Sequence, residues 1–354
     1  MTAIPGEQGR NMPLLANIGK VAVAALLIVG AIAMGASIGE TPIPVETVIH
    51  TVANQVFGAN YPLSAIDQGI IWNYRLTRAI VAVCCGAALA VSGLVLQSLL
   101  RNALADPYIL GISAGASTGA VSITILGLGA GVLSLSTGAF IGAIMAFVFV
   151  AILARAAGGG VSAQGTGQII LAGIAGSQLF NALTSFIVTR SANSEQVRGI
   201  MFWLLGNLSG VRWDDVRMAV PVALAGVLVC LWYRRALDAF TFGSDSAASL
   251  GIPVRRVQIV LIGTVAVMTA VMVSMVGSIG FVGLVIPHAA RFLVGVRHSR
   301  LLPVTALMGA VFLVVADIIS RTIIPGQVLP IGVITALVGA PGFAVILIRG
   351  RRIR

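Results

Sequence analysis

The chain has little charge and a single lysine. Of its 354 residues 9% are charged and 58% are hydrophobic, whereas a soluble domain carries about 25% charged residues. With so few charges a soluble fold could not cover its surface. Lys20 is followed by Val21. A P-loop needs Lys and then Ser or Thr after a glycine loop, so this chain does not bind ATP in that way. H-E-x-x-H does not occur, and with it goes a common zinc-hydrolase pattern. His50, His288 and His298 are too scattered to suggest a zinc site. Cys84, Cys85 and Cys230 lie in apolar runs. Adjacent cysteines on a helix point apart, so neither a disulfide nor a C-x-x-C metal site is expected. No metal and no cofactor is assigned to the chain.

Long apolar runs are abundant, and mean hydropathy is +1.03. A transmembrane helix needs about 20 apolar residues, and a membrane β-barrel would instead show short alternating segments. The fold class expected is an all-α polytopic membrane protein with about ten transmembrane helices. Apolar runs, uncharged except for Asp317 in the ninth, place them at residues 21–39, 79–100, two within 107–154, one from about 168, then 218–233, two within 257–290 split near Gly277 and Gly280, 301–319 and 329–348. Gly127 to Gly138 reads as a turn. Residues 1–20 form a polar leader, 21–349 the membrane domain and 350–354 a basic tail. The first run is longer than a signal-peptide core and is expected to be retained.

Cytoplasmic loops are enriched in Lys and Arg. With the N-terminus inside and ten crossings, 15 of the 22 basic residues and four of the 11 acidic ones fall on the cytoplasmic side. The other side is balanced, so the whole net charge of +11 sits on one face. Both termini are expected in the cytoplasm. A charge distributed this way reports topology and anionic lipid, and no nucleic-acid partner is expected.

Gly277 to Gly295 reads GSIGFVGLVIPHAARFLVG. It is apolar, yet it carries glycine pairs, Pro287-His288 and Arg291, which a membrane helix tolerates where neighbours satisfy the freed backbone groups. Four further stretches accompany it: RNALADPYILGISAGASTGA from Arg101, LAGIAGSQLFN from Leu171, FWLLGNLSGVRW from Phe202, and Ala316-Asp317 with Arg321, Leu329-Pro330-Ile331-Gly332 and Gly339-Ala340-Pro341. In order and spacing the set resembles the FecCD-type permeases of ABC importers for iron-siderophores, haem or vitamin B12.

The resemblance implies a type II ABC importer permease. It implies a homodimer with the path along its two-fold axis, two separate ATPase subunits that use the ATP, and an extracytoplasmic solute-binding protein, all at a bacterial cytoplasmic membrane. Arg75 and Arg78, in a turn just outside the second span, and Arg321 match docking arginines for the binding protein. Thr77 stands where the family has proline. Asn102 and Leu104 match one cytoplasmic gate element, and Thr166 and Gly167 the other, in a glycine-rich loop that flexes at low steric cost. Phe242, Gly243, Ser244, Asp245, Ala247, Leu250 and Gly251, within a loop at about 238–255, resemble the coupling helix that rests on the ATPase. Ser244 or Asp245 is expected to cap it, and Gly251 with Pro253 to end it.

Other residues are read from their own chemistry. Asp106 is placed to cap the helix after Pro107. Met268, Met272 and Met275 recur at i, i+4, i+7, either lining a path for a greasy solute or packing as a stripe. Gly111, Gly115 and Gly119 form overlapping G-x-x-x-G, a close-packing signal. Asp317 and Arg321 can pair at i, i+4. A competing reading is an ion-coupled secondary transporter using Asp317; an intramembrane enzyme lacks a nucleophile–base pair. An iron(III)-siderophore is the cargo favoured by family frequency, with haem and cobalamin next.

Overall fold

The computed structural model describes residues 8–128, 133–159, 163–191 and 193–350. The tail beyond Gly350, Gly160 and the start of the leader lie outside them. Ten helices carry the apolar runs. They are α1 (Gln8–Ser37), α2 (Ala65–Leu99), α3 (Ile112–Thr124), α4 (Leu135–Ala156), α5 (Ala163–Ser191), α6 (Trp213–Trp232), α7 (Val254–Val276), α8 (Val282–Val294), α9 (His298–Thr322) and α10 (Ile331–Gly350). Six are long and apolar enough to cross a bilayer, and α1, α8 and α10 hold shorter apolar stretches. α1 runs through residue 20 without a break, so residues 8–20 are helical.

The central helix is α2. Its most apolar window is 89% buried, against 22% for α5 and 28% for α6. Packed around it are α9, α6, α8, α7 and α1, while α3 packs on α4 and α5. Lipid tails are as apolar as leucine, so helices in a membrane gain little from burying leucine and gain more from close backbone approach at small residues. Gly93 of α2 illustrates this: a Cβ there would lie 1.9 Å from the Gly283 carbonyl oxygen of α8. Gly115 and Gly119 of α3 likewise meet Gly142 and Gly138 of α4, the packing that the G-x-x-x-G spacing predicts.

Local chemistry sets the boundaries. The Asp106 side chain accepts from the Tyr108 N–H at 2.9 Å and caps the 3-10 turn Pro107–Leu110 that leads into α3. The break between α7 and α8 falls at residues 277–281, where Gly277 and Phe281 both have positive φ. Gly277 is required there, since a Cβ would stand 2.0 Å from the Trp203 carbonyl oxygen.

The start of α2 departs from expectation. Arg75 and Arg78 were expected in a turn outside the span, but the helix already begins at Ala65 and passes through a π-helical stretch, Ile70–Leu76. Thr77, lacking the helix-breaking ring of the family's proline, continues the helix. Its hydroxyl donates back to the Asn73 and Tyr74 carbonyls at 3.0 and 3.2 Å.

Candidate functional site

At one end of the bundle three arginines converge below the surface. Arg78 Nε donates to Asp317 Oδ1 at 2.5 Å, and Arg321 Nε lies 3.2 Å from Asp317 Oδ2. Arg78 also donates to the Tyr74 hydroxyl (2.8 Å) and to Ser209 Oγ (2.9 Å). Arg321 Nη2 donates to the Gly35 carbonyl at 2.7 Å, and Arg75 donates to the carbonyls of Ser37 (2.9 Å) and Thr41. Those carbonyls belong to the end of α1 and the turn after it, where helical carbonyls lack intrahelical partners. Arg75, Arg78 and Arg321 are 2%, 1% and 1% exposed. Their guanidinium groups are thus engaged inside the bundle rather than free at its surface. Continuation of α2 into Ala65 carries Arg75 and Arg78 inside the bundle, and a lone carboxylate plus backbone carbonyls takes up their charge.

At the opposite, basic end the turn after α2 holds Asn102 and Leu104. Asn102 Oδ1 accepts from the Leu104 N–H at 2.9 Å and shapes its own turn, leaving Leu104 53% exposed. His288 Nε2 is 2.9 Å from the Ala103 carbonyl oxygen, so this turn is tied to α8. Thr166 and Gly167 were expected in a flexible loop, but α5 already begins at Ala163. Gly167 is exposed, and the Thr166 side chain lies outside the described residues. α5 reaches the 107–110 turn that follows Asn102 and Leu104, with Gly173 against the Ile109 carbonyl.

Between α6 and α7 lie two short helices, Arg234–Phe240 and Ser244–Ser249. The second starts at Gly243, whose φ of 111° and ψ of 159° suit glycine. The N-cap position thus falls on Gly243, not on Ser244 or Asp245 as expected. Gly251, with φ +79°, closes it, its N–H donating to the Ala248 carbonyl at 2.9 Å. Ala247 is fully buried, while Phe242 and Leu250 flank the helix at 75% and 71% exposure.

This connector is fastened to the spans by contacts that sequence reasoning missed. His298 Nδ1 is 2.8 Å from Asp238 Oδ1, and the His298 N–H donates to the same oxygen at 2.8 Å. His298 Nε2 is 2.8 Å from Ser98 Oγ on α2. Beside it Arg291 donates to Gln97 Oε1 at 2.8 Å, and Gln97 Nε2 donates to the Gly283 carbonyl at 3.1 Å. Ser98 and His298 are 200 residues apart in sequence, so no local pattern could have paired them.

Met268, Met272 and Met275 are 1%, 0% and 9% exposed. The stripe is packed between helices in this chain: Met268 seats its sulfur against Gly226 of α6, where a Cβ would be 2.1 Å from it.

A ten-helix bundle with short helices between its sixth and seventh spans has the architecture of a type II ABC importer permease. It is similar over 94% of this chain and 99% of the other to a metal-chelate-type ABC transporter solved in an inward-facing conformation, with a TM-score of 0.78 and 28% identity. PsaBC from Streptococcus pneumoniae shares the fold at a TM-score of 0.57 and 20% identity, over 79% of this chain and 93% of that one. The FecCD transport family model matches residues 25–349, and the chain belongs to that family. The cobalamin import system permease BtuC of Halobacterium salinarum is 38% identical over 94% of this chain and 96% of its own length. The Fe(3+) dicitrate permease FecD of Escherichia coli K12 is 36% identical over 80% and 86%.

Proposed function

We propose that two copies of this chain form the membrane path of a binding-protein-dependent importer, driven by two separate ATPase subunits, with a metal chelate as cargo. The observation that carries this reading is the extent of the likeness, 94% of the chain, to a permease named for cobalamin import. The connector supports the ATPase assignment. Its exposed Phe242 and Leu250 offer a docking patch, and its Asp238 is bonded to the first residue of α9, so a push on the connector reaches α9 and, through Ser98, α2. We place the basic end in the cytoplasm by the charge asymmetry of the loops and the protein in a bacterial inner membrane.

The solute-binding protein would meet the opposite end. There the arginines act by holding the end of α1 and its following turn in position rather than by offering free charge. Among cargoes, the likeness to a cobalamin permease and to a ferric dicitrate permease supports a corrinoid or a ferric chelate; an iron(III)-siderophore and haem belong to the same test. Gate roles for Asn102, Leu104, Thr166 and Gly167 are part of this proposal.

The test is reconstitution in proteoliposomes with the ATPase and binding protein, offered radiolabelled cobalamin, ferric siderophore and haem. Uptake that needs ATP and all three components, and that selects one chelate, is the expected result. Uptake by this chain alone, abolished by a protonophore, would overturn it in favour of a secondary transporter.

A further inference from the structure

On the basic end a groove of about 1080 Å³ opens between α1, the end of α6 and the start of α9. Arg234, Arg297 and Arg300 line it together with apolar side chains that include Val23, Leu231 and Leu307. The three arginines are exposed. Among the described residues none of them makes an ion pair. Asp238, four residues beyond Arg234, is already taken by His298, and the only side-chain hydrogen bond in the trio runs from Arg234 to the Leu231 carbonyl of its own chain segment.

The charges and the apolar walls are segregated. Arg234 follows the last turn of α6, and Arg297 and Arg300 stand at the first turn of α9. Both of these helices are long and apolar enough to span the bilayer, so the guanidinium groups sit at the level where the spans leave it. Trp232 beside them is 81% exposed, as expected of an aromatic at a membrane interface. Val23 and Leu307 lie further along α1 and α9, toward the bilayer centre, and Leu231 forms the last turn of α6. A site with cations at the interface and hydrocarbon walls below them matches an anionic headgroup joined to acyl chains. A free phosphate would find nothing to fill the apolar part, and a soluble protein surface would not reach between spanning helices.

We propose that this groove binds one anionic glycerophospholipid, its phosphate held by Arg234, Arg297 and Arg300 and its acyl chains lying between α1, α6 and α9. The assignment is independent of which solute the protein carries. Because α9 begins in this groove and its first residue contacts Asp238, a bound lipid would also fix the helix to which the connector is fastened.

The test is native mass spectrometry of the full-length protein in detergent with phosphatidylglycerol or phosphatidylcholine added. Each basic side chain near an anionic surface is worth roughly a factor of five, so three give a preference for phosphatidylglycerol on the order of 100-fold. The variant R234Q/R297Q/R300Q is expected to lose that preference, and Ala24→Trp, which fills the groove from α1 and leaves the arginines in place, to lose retention of the lipid. Arg155→Gln, an exposed charge elsewhere, is expected to change nothing. Should the triple variant fail to fold, Ala24→Trp decides alone. Equal retention of the two lipids, retention unaffected by filling the groove, or displacement of the lipid by millimolar inorganic phosphate would overturn the proposal. So would loss of ATPase association in the triple variant with lipid retention unchanged, which would make the arginines a protein contact.

Discussion

His298, the first residue of α9, places both its backbone N–H and its ring Nδ1 on one oxygen of Asp238, each at 2.8 Å. Replacing Asp238 with alanine removes the oxygen that both groups share and leaves polar groups of a 1%-exposed histidine unsatisfied, a loss of about 1–3 kcal/mol. Asp238→Asn keeps an acceptor and is expected to lose less. Thermal unfolding in detergent ranks the two. In reconstituted transporter, Asp238→Ala is expected to raise ATP hydrolysed per solute moved; an unchanged ratio would detach this contact from coupling.

Asp317 holds two buried arginines, Arg78 and Arg321. A carboxylate so committed is a poor proton carrier, because protonation would leave two buried cations without their counter-charge. Arg78→Ala is expected to destabilise by about 3–5 kcal/mol, the range for breaking a buried ion pair from one side. In Asp317→Asn protein that still folds, ATP-driven uptake is expected to persist and to resist protonophores. Loss of a proton-driven component in that variant would revive the secondary-transporter reading.

Burial pushes the Asp106 carboxyl up to about 6, with the hydrogen bond from the Tyr108 N–H opposing the shift. A carboxyl whose folded pKa is raised holds its proton where the unfolded chain has released it. Stability from this group is therefore full at acid pH, falls as pH rises from about 4 to about 6, and is flat above. Asp106→Asn keeps an acceptor for Tyr108 and removes the titration. The difference in melting temperature between wild type and variant should change across that window and nowhere else; a difference constant with pH would refute the assignment.

Two glycines offer a paired test of packing. Gly93→Ala puts a methyl group 1.9 Å from the Gly283 carbonyl oxygen, and forcing α2 and α8 apart is expected to cost about 1–3 kcal/mol. Gly263, in α7, has nothing within 4 Å of its added Cβ, and Gly263→Ala is expected to gain up to roughly 1 kcal/mol from helix propensity. Melting temperatures that move in opposite directions satisfy both.

Much of the fold was legible because its signals are local. Long apolar runs mark the ten spans, Asp106 before Pro107 marks a cap, and Gly277 marks the break between α7 and α8. The i, i+4 spacing of Asp317 and Arg321 foretold their pairing. Arg75 and Arg78 were misplaced because charges in a hydropathy profile read as a span's end, whereas this helix takes them inside and neutralises them with groups far off in sequence. The connector's boundaries were legible in part: Gly251 ends its helix as expected, but the starting cap moved to Gly243, since a glycine can adopt the φ of 111° that entry requires.

Sequence alone determined that this chain lies in a membrane, how many times its apolar runs can cross it, that it lacks a P-loop, and which family's motifs it carries. These follow from the solvation of side chains and from short-range backbone chemistry, and neither depends on partners distant in the chain. Tertiary structure decided which charges are spent internally and which remain available. Arg78 meets Asp317 across 239 residues and Ser98 meets His298 across 200, while Arg297 and Arg300 remain exposed on the groove. Pairings of that kind arise only when helices pack, because a buried charge must find its partner among whatever side chains the packing brings within reach.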